Sequence, residues 1–181
     1  MASATYVALF RGINVGGKNM LPMKDLVAMF TATGASDVRS YIQSGNVVFA
    51  GDAAVAKRAP QVVSTAIESR FGFRVPIVVR SSSELAAVAR ENPFLEAGAD
   101  VDTLHVGFLA DRPSPKNVAA LDAKRSPPDS FVVRGREVYL CCPGGMARTK
   151  LTNAYFDSKL ETTTTMRNWR TVLKLVELSA A

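Results

Sequence analysis

The chain has 181 residues, of which 48% are hydrophobic, and it carries a formal charge of +6 at pH 7. A chain of this size and apolar content can bury a core, as one domain or two small ones, which excludes a disordered protein. Its apolar runs fall far short of the ~20 residues of a membrane span, and residues 1–5 lack the regions of a signal peptide, so we expect a cytoplasmic protein without membrane partners. The positive charge favours anionic partners.

Six segments of the first 81 residues alternate between strand and helix patterns in the order β-α-β-β-α-β. Strand patterns cover residues 6–10, 38–43, 46–50 and 74–80, and helix patterns begin at Pro22 and Ala53 and end at Gly34 and Gly72. Pro60 either kinks the second helix or marks its true start. The order is that of a ferredoxin-like sandwich, so we predict an α+β fold whose first, ferredoxin-like subdomain covers residues 1–81.

Residues 82–181 predict a second, smaller α+β subdomain that partly repeats the first. Ser81 and Glu84 have the spacing of a capping box and start a third helix that runs to Glu91. A βαββ unit and a C-terminal helix follow, with strands at 103–109, 131–134 and 137–142, helices at 115–124 and 166–178, and a loose segment before the last helix. Trp169 falls on the apolar stripe of that helix, so we expect its ring in the core.

The two cysteines, Cys141 and Cys142, are neighbours in a strand pattern. Adjacent side chains of a strand point to opposite faces, so a disulfide between them is not expected. We predict two buried, reduced thiols.

The most informative stretch is the loop at residues 11–19, RGINVGGKN, between the first strand and the first helix. Its glycines permit positive φ and the close approach of a ligand, while Arg11 and Lys18 bring positive charge. The loop matches the P-loop pattern G-x-x-x-x-G-K, but Asn19 replaces the Ser or Thr that holds Mg²⁺, and the element order is not that of a P-loop sheet. We therefore predict phosphate or carboxylate binding by backbone amides; the alternative is a purely structural loop.

The predicted topology brings a second turn close to this loop. In a βαββαβ sandwich, the end of the first strand and the hairpin between the second and third strands lie at the same edge of the sheet. The loop at residues 11–19 and the hairpin at residues 43–46 should therefore be neighbours. The hairpin sequence alone is typical of an ordinary turn, and a ligand role for it depends on this closeness.

Arg167 falls in the first turn of the last predicted helix, with Thr165 as the cap. A cation is unfavourable there unless an anion offsets the helix dipole, so this segment could hold an anion; the alternative is an exposed arginine paired with Glu161. The predicted ligand-binding residues are Arg11, Gly12, Asn14, Gly16, Gly17, Lys18, Gln43, Ser44, Gly45, Asn46, Thr165, Arg167 and Asn168.

The sequence indicates no catalytic residue, metal site or cofactor. His105, the only histidine, lies mid-strand without a neighbouring nucleophile, and no His, Cys and carboxylate residues cluster at ligand spacing. Tyr6, Phe10 and Tyr41 on a ferredoxin-like sheet favour an RNA-recognition fold, but residues 44–50 lack that module's stacking aromatics. We expect those rings to pack against the second half of the chain.

Four segments resemble a known bacterial family: YVALFRGINVGGKNMLPM, DVRSYIQSGNVVF, ENPF and TTTTMRNWRTVLKLVEL. They are similar, over nearly the whole chain, to the domain of unknown function number sixteen ninety-seven. The resemblance implies an α+β protein with two subdomains, the first ferredoxin-like, and the family carries no assigned activity, substrate or cofactor. Its signature positions fall on residues 11–18, 43–46 and 167–169. Met166 stands where members often have Thr, and Arg170 where Asn is frequent.

These observations together predict a protein that binds a small anionic ligand at the glycine-rich loop and the 43–46 hairpin, with Arg167 as a further contact. One alternative is an enzyme that acts on a phosphorylated or nucleotide substrate, with Lys18 and Arg167 stabilising charge. A second alternative is a nucleic-acid-binding module, which the positive charge supports.

Overall fold

The computed structural model describes residues 3–43 and 45–180. These residues form a mixed α+β fold with two four-stranded antiparallel sheets, which confirms the predicted class. The chain divides into two compact units, one made of the chain up to Ala86 and from Leu175 on, and the other of Ala87–Lys174. Every helix in the described ranges is too short or too polar to cross a membrane.

The first unit has the predicted element order. Its elements are β1 (Ala4–Phe10), α1 (Met23–Ala32), β2 (Ser36–Tyr41), β3 (Asn46–Gly51), α2 (Ala53–Phe71), β4 (Ile77–Ser81) and the start of α3 (Ser82–Arg90). The strand order is β2-β3-β1-β4, and all neighbouring strands are antiparallel. This sheet is compatible with the predicted ferredoxin-like arrangement.

Aromatic rings join the first sheet to α1. Phe30 of α1 lies between Phe10 of β1 and Phe49 of β3, with ring centroids 5.8 Å and 5.1 Å away. Tyr6 stacks on Phe49 at 5.6 Å. Phe10 is buried in the core of its own unit, and Tyr6 is partly buried against that core, so the expectation that these two rings pack against the second half is wrong. Phe10 offers no open stacking surface for RNA bases.

Local signals define the helix ends of this unit. Asp52 caps α2 by accepting a hydrogen bond at 2.8 Å from the amide three residues further on, and Gly72 ends that helix with φ of 80°. Pro60 lies inside α2 and does not mark its start. The predicted capping box is confirmed, because the Ser81 amide donates to Glu84 Oε2 at 2.7 Å and the Glu84 amide donates to Ser81 Oγ at 3.2 Å.

The second unit repeats the topology of the first in full. After α4 (Pro93–Glu96) and a 3-10 turn (Val101–Thr103) come β5 (Leu104–Leu109), α5 (Pro115–Ala119), β6 (Ser130–Arg134), β7 (Glu137–Cys141), α6 (Asn153–Leu160), β8 (Thr164–Asn168) and the start of α7 (Trp169–Ala180). The strand order is β6-β7-β5-β8, again entirely antiparallel. The predicted βαββ repeat is therefore only the first part of a second βαββαβ unit.

Three sequence predictions for the second unit are wrong. Helix α5 ends at Ala119 rather than at residue 124, the segment expected to be loose contains α6, and Thr164–Asn168 form a strand where a loop and a helix start were expected. Threonine is β-branched and suits a strand, which explains β8. Helix α6 is only 8 residues long and has a weak apolar stripe, so the spacing of its apolar residues did not predict a helix.

The strand register places two buried arginines at equivalent positions. Val7 of β1 pairs with Arg80 of β4, and Val106 of β5 pairs with Arg167 of β8. Each arginine donates from Nη1 to the carbonyl of the residue before it, at 3.0 Å for Arg80 and 2.8 Å for Arg167. The two units therefore share not only their element order but also the position of a buried arginine.

Candidate functional site

The glycine-rich loop leaves β1 at Phe10 and forms a narrow hairpin. The Lys18 amide donates to the Val15 carbonyl at 3.1 Å, which closes a turn with Gly16 and Gly17 at its tip. These glycines have φ of 59° and 72°, as a type I′ turn requires, and the predicted positive φ is confirmed. A Cβ atom at either glycine would meet nothing within 4 Å, so the tip is open on its outer side.

The loop and the 43–46 hairpin are in direct contact, as the topology predicts. The Phe10 amide donates to the Gly45 carbonyl at 2.8 Å, and Asn14 Nδ2 donates to the Gln43 carbonyl at 2.9 Å. A Cβ atom on Gly45 would lie 2.7 Å from Ile13 Cδ1, so this close packing requires glycine. We call residues 11–19 and 43–46 the rim; Ser44, one of its predicted ligand-binding residues, lies outside the described residues.

Asparagine side chains hold the rim in shape. Asn14 Oδ1 accepts from the Leu21 amide at 2.7 Å, and its Nδ2 donates to the carbonyls of Leu21 and Gln43, each at 2.9 Å. Asn46 is buried, and its Nδ2 donates to the Tyr41 carbonyl at 3.2 Å. Asn14, Asn46 and the buried Gly45 therefore support the rim, and the exposed predicted residues are Gly12, Gly16, Gly17, Lys18 and Gln43.

All charged side chains of the rim are positive. Residues 1–24 contain Arg11, Lys18 and Lys24 and no Asp or Glu, and residues 38–51 contain Arg39 and no Asp or Glu. The amides of Gly16 and Gly17 have no hydrogen-bond partner among the described residues. Exposed amides beside basic side chains suit the oxygen atoms of an anion.

Exposed aliphatic side chains lie on these two turns or directly beside them. Val15 is 60% exposed, Met20 58% and Ile42 48%. Exposed apolar surface rimmed by polar groups is typical of an interaction site. Sequence reasoning missed this feature, because nothing in the spacing of these residues distinguishes them from core residues.

The third predicted group of ligand-binding residues has a different structure from the one expected. Arg167 lies in β8 rather than in a helix, is 9% exposed, and donates from Nη1 to Thr165 Oγ1 at 3.0 Å; burial lowers its pKa to about 10. Thr165 is buried and caps no helix. Asn168 is the true cap of α7, because its Oδ1 accepts from the Thr171 amide at 2.8 Å. The helix-terminus argument for an anion at Arg167 is therefore wrong.

Potential catalytic and metal-binding side chains are sparse. In the described ranges, no three His, Cys, Asp or Glu side chains form a group that could hold a metal ion. His105 lies in β5, and burial lowers the pKa of its imidazole. Trp169 is buried, which confirms its predicted place in the core.

The sequence matches a known protein family, and the fold is similar to that of a solved structure. The family model described as "Protein of unknown function (DUF1697)" matches residues 3–139. No curated protein matches the chain. The fold is similar to that in "The structure of conserved bacterial protein SP0830 from Streptococcus pneumoniae", with a TM-score of 0.74, 22% sequence identity, and coverage of 97% of this chain and 98% of that one. At this identity the likeness concerns the fold alone.

Proposed function

We propose that this chain, which belongs to the family of proteins of unknown function DUF1697, binds a small phosphate- or carboxylate-bearing ligand at the rim of its first unit. The observation that carries the proposal is the contact between the loop and the hairpin. Asn14 and the Phe10 amide fix the two turns against each other, so the tip at Gly16 and Gly17 is held on a rigid support. Loops on rigid supports are common sites of binding.

Each exposed group of the tip has a role in this proposal. The amides of Gly16 and Gly17 donate to oxygen atoms of the anion, as backbone N–H groups do in other anion-binding turns. The ammonium group of Lys18, at the end of the turn, supplies a charge-assisted hydrogen bond, and Arg11 adds long-range attraction. Because neither segment of the rim contains a carboxylate, no side chain of the rim itself competes for these cations.

Binding can be measured by isothermal titration and thermal unfolding with inorganic phosphate and acetate. We expect phosphate to raise the melting temperature and Lys18→Ala to weaken binding about tenfold to a hundredfold, because a hydrogen bond to a charged group contributes about 1.5–3 kcal/mol. Arg11→Ala should weaken binding less.

Lys57→Ala is the matched control, since Lys57 is an exposed lysine of α2 outside the rim. It should bind phosphate as the natural chain does. The proposal fails if neither anion binds, or if Lys18→Ala and Lys57→Ala have the same affinity.

A further inference from the structure

Three exposed aliphatic side chains lie at or beside the rim and have no part in the proposed function. They are Val15, Met20 and Ile42. Val15 follows Asn14 in the chain, and the Asn14 side chain binds the residue after Met20 and the residue after Ile42. One amide group therefore holds these three segments together, and we call Val15, Met20 and Ile42 the apolar patch. Clustered exposed apolar side chains are typical of an interaction surface, whereas single ones are ordinary.

The backbone of Ile42 is strained. Its φ is 49°, in the left-handed region, where the branched Cβ of an isoleucine crowds the backbone. Asn14, Asn19 and Asp37 also have positive φ, but asparagine and aspartate tolerate it. Ile42 is 48% exposed, so core packing does not require an isoleucine at this position. Strained residues cluster at functional sites, and the strain therefore points to a function of the exposed side chain.

Positive charge accompanies the apolar patch. Lys18 is exposed in the loop, and Arg39 is exposed in β2, the strand that leads into the hairpin. Neither the loop nor the hairpin contains Asp or Glu. The first carboxylate after the loop, Asp25 in α1, is paired with Arg70 at 3.1 Å. The partner of this surface must therefore offer negative charge as well as apolar contact.

The apolar patch belongs to turns that are open on their outer side. A Cβ atom at Gly12, Gly16 or Gly17 would meet nothing within 4 Å, so the loop next to Val15 borders open space. A protein partner would need a groove that matches these turns. The boundary between the headgroups and the acyl chains of a bilayer accepts apolar side chains without a matching shape, and anionic headgroups attract nearby Lys and Arg side chains. These features favour a lipid surface.

We infer that the rim and the apolar patch together bind the surface of a membrane that contains anionic phospholipid. The inference rests on the proposed function, because the phosphate of a lipid headgroup is the anion that the Gly16 and Gly17 amides and Lys18 hold. The three aliphatic side chains enter the boundary between headgroups and acyl chains. The chain attaches in this way to one face of the bilayer. The sequence expectation of no membrane partner rested only on the lack of spanning segments and of a signal peptide.

Sedimentation of the full chain with lipid vesicles measures this binding. One set of vesicles contains phosphatidylcholine alone, and the other contains phosphatidylcholine with phosphatidylglycerol. Binding to the anionic set should be at least about tenfold tighter, because each basic side chain near an anionic surface contributes about a factor of five. Equal binding to both sets, or binding to neither, overturns the inference.

Inorganic phosphate separates this inference from the proposed function. If phosphate shifts the amide resonances of Gly16 and Gly17 but the chain does not bind anionic vesicles, the inference fails and the proposed function stands. If neither phosphate nor the vesicles bind, both fail. Polyglutamate supplies negative charge without an apolar phase, so affinity for it equal to that for anionic vesicles would indicate an acidic protein partner and overturn the inference.

The variant Ile42→Asn separates a binding role from a structural one. Asparagine tolerates positive φ, so the melting temperature should stay the same or rise by up to about 2–4 °C, while binding to anionic vesicles weakens about fivefold to tenfold. Val62→Asn is the matched control, because Val62 is an aliphatic residue of α2 outside the rim and is 45% exposed. It should bind the vesicles as the natural chain does. If Ile42→Asn lowers the melting temperature and leaves vesicle binding unchanged, the side chain is structural and the inference is wrong.

Discussion

The side-chain amide of Asn14 links three segments at the rim. It bonds to both backbone groups of Leu21, before α1, and to the carbonyl of Gln43 in the hairpin. Sequence reasoning assigned Asn14 to the ligand because it lies in a glycine-rich loop. Its true partner in the hairpin is 29 residues away, and no local pattern reveals such a bond. The residue type is nevertheless explained by its φ of 52°, which asparagine tolerates better than most residues.

Two glycines of the rim should respond differently to the same substitution. Gly45→Ala and Gly16→Ala both place a Cβ at positive φ, which costs about 1–2 kcal/mol in each case. At Gly45 the new Cβ would also lie 2.6 Å from Phe10 Cβ, whereas at Gly16 it meets nothing within 4 Å. Overpacking should therefore destabilise Gly45→Ala by a further ~1–3 kcal/mol. Urea unfolding measures the difference, and equal losses would contradict the packing described for the rim.

The thiol of Cys142 should make stability depend on alkaline pH. Both cysteines are free; Cys142 is buried as predicted, but Cys141 is only half-buried. Burial raises the pKa of Cys142 to about 11. Because the folded pKa lies above the unfolded value, the thiol's contribution to stability is complete below pH 9 and is lost as the pH rises towards 11.

Thermal unfolding of the natural chain and of Cys142→Ala between pH 8 and pH 11 tests this sign. The melting temperature of the natural chain should fall more steeply above pH 9. Tyr139, whose pKa burial raises to about 12, is present in both proteins and cancels in the comparison. Parallel curves would show that Cys142 does not titrate as its burial requires.

Helices and strands with a clear apolar pattern were predictable from the sequence, and those without one were not. The short apolar run of β1 and the Gly72 stop of α2 gave correct elements, because they depend on local composition and backbone freedom. Strand β8 was missed because four threonines resemble a polar loop, although Thr164 and Thr165 are buried. The same omission put Arg167 in the first turn of the last helix, whereas it is buried in β8.

The side-chain cap of α2 should contribute measurably to stability. Asp52→Ala should lower the free energy of unfolding by about 1 kcal/mol, because the hydrogen bond to the first turn of the helix is lost. Asp52→Asn keeps a side-chain oxygen in place and should cost only a few tenths of a kcal/mol. Chemical unfolding of both variants measures the two losses. An alanine variant as stable as the asparagine variant would mean that the cap contributes nothing.

The topology of the chain was more informative than motif matching. Residues 12–18 match the P-loop pattern of nucleotide-binding proteins, but Asn19 stands where that pattern has the Ser or Thr that holds Mg²⁺. The element order, in contrast, correctly placed the loop beside the hairpin. A small polar pocket in the second unit, lined by His105, Asn168 and Trp169 among others, was beyond prediction, because Asn168 ends β8, a strand that the sequence did not indicate. The chain is therefore two units of one topology with different surfaces, a basic rim in the first and a neutral polar pocket in the second.

The most direct test of the proposed binding site is a titration of the ¹⁵N-labelled chain with inorganic phosphate, followed through its backbone amide resonances. The account predicts saturable shifts that are largest at Gly16, Gly17 and Lys18 and that require about tenfold to a hundredfold more phosphate in Lys18→Ala. Shifts concentrated outside residues 11–19 and 43–46, or none at all, would contradict it.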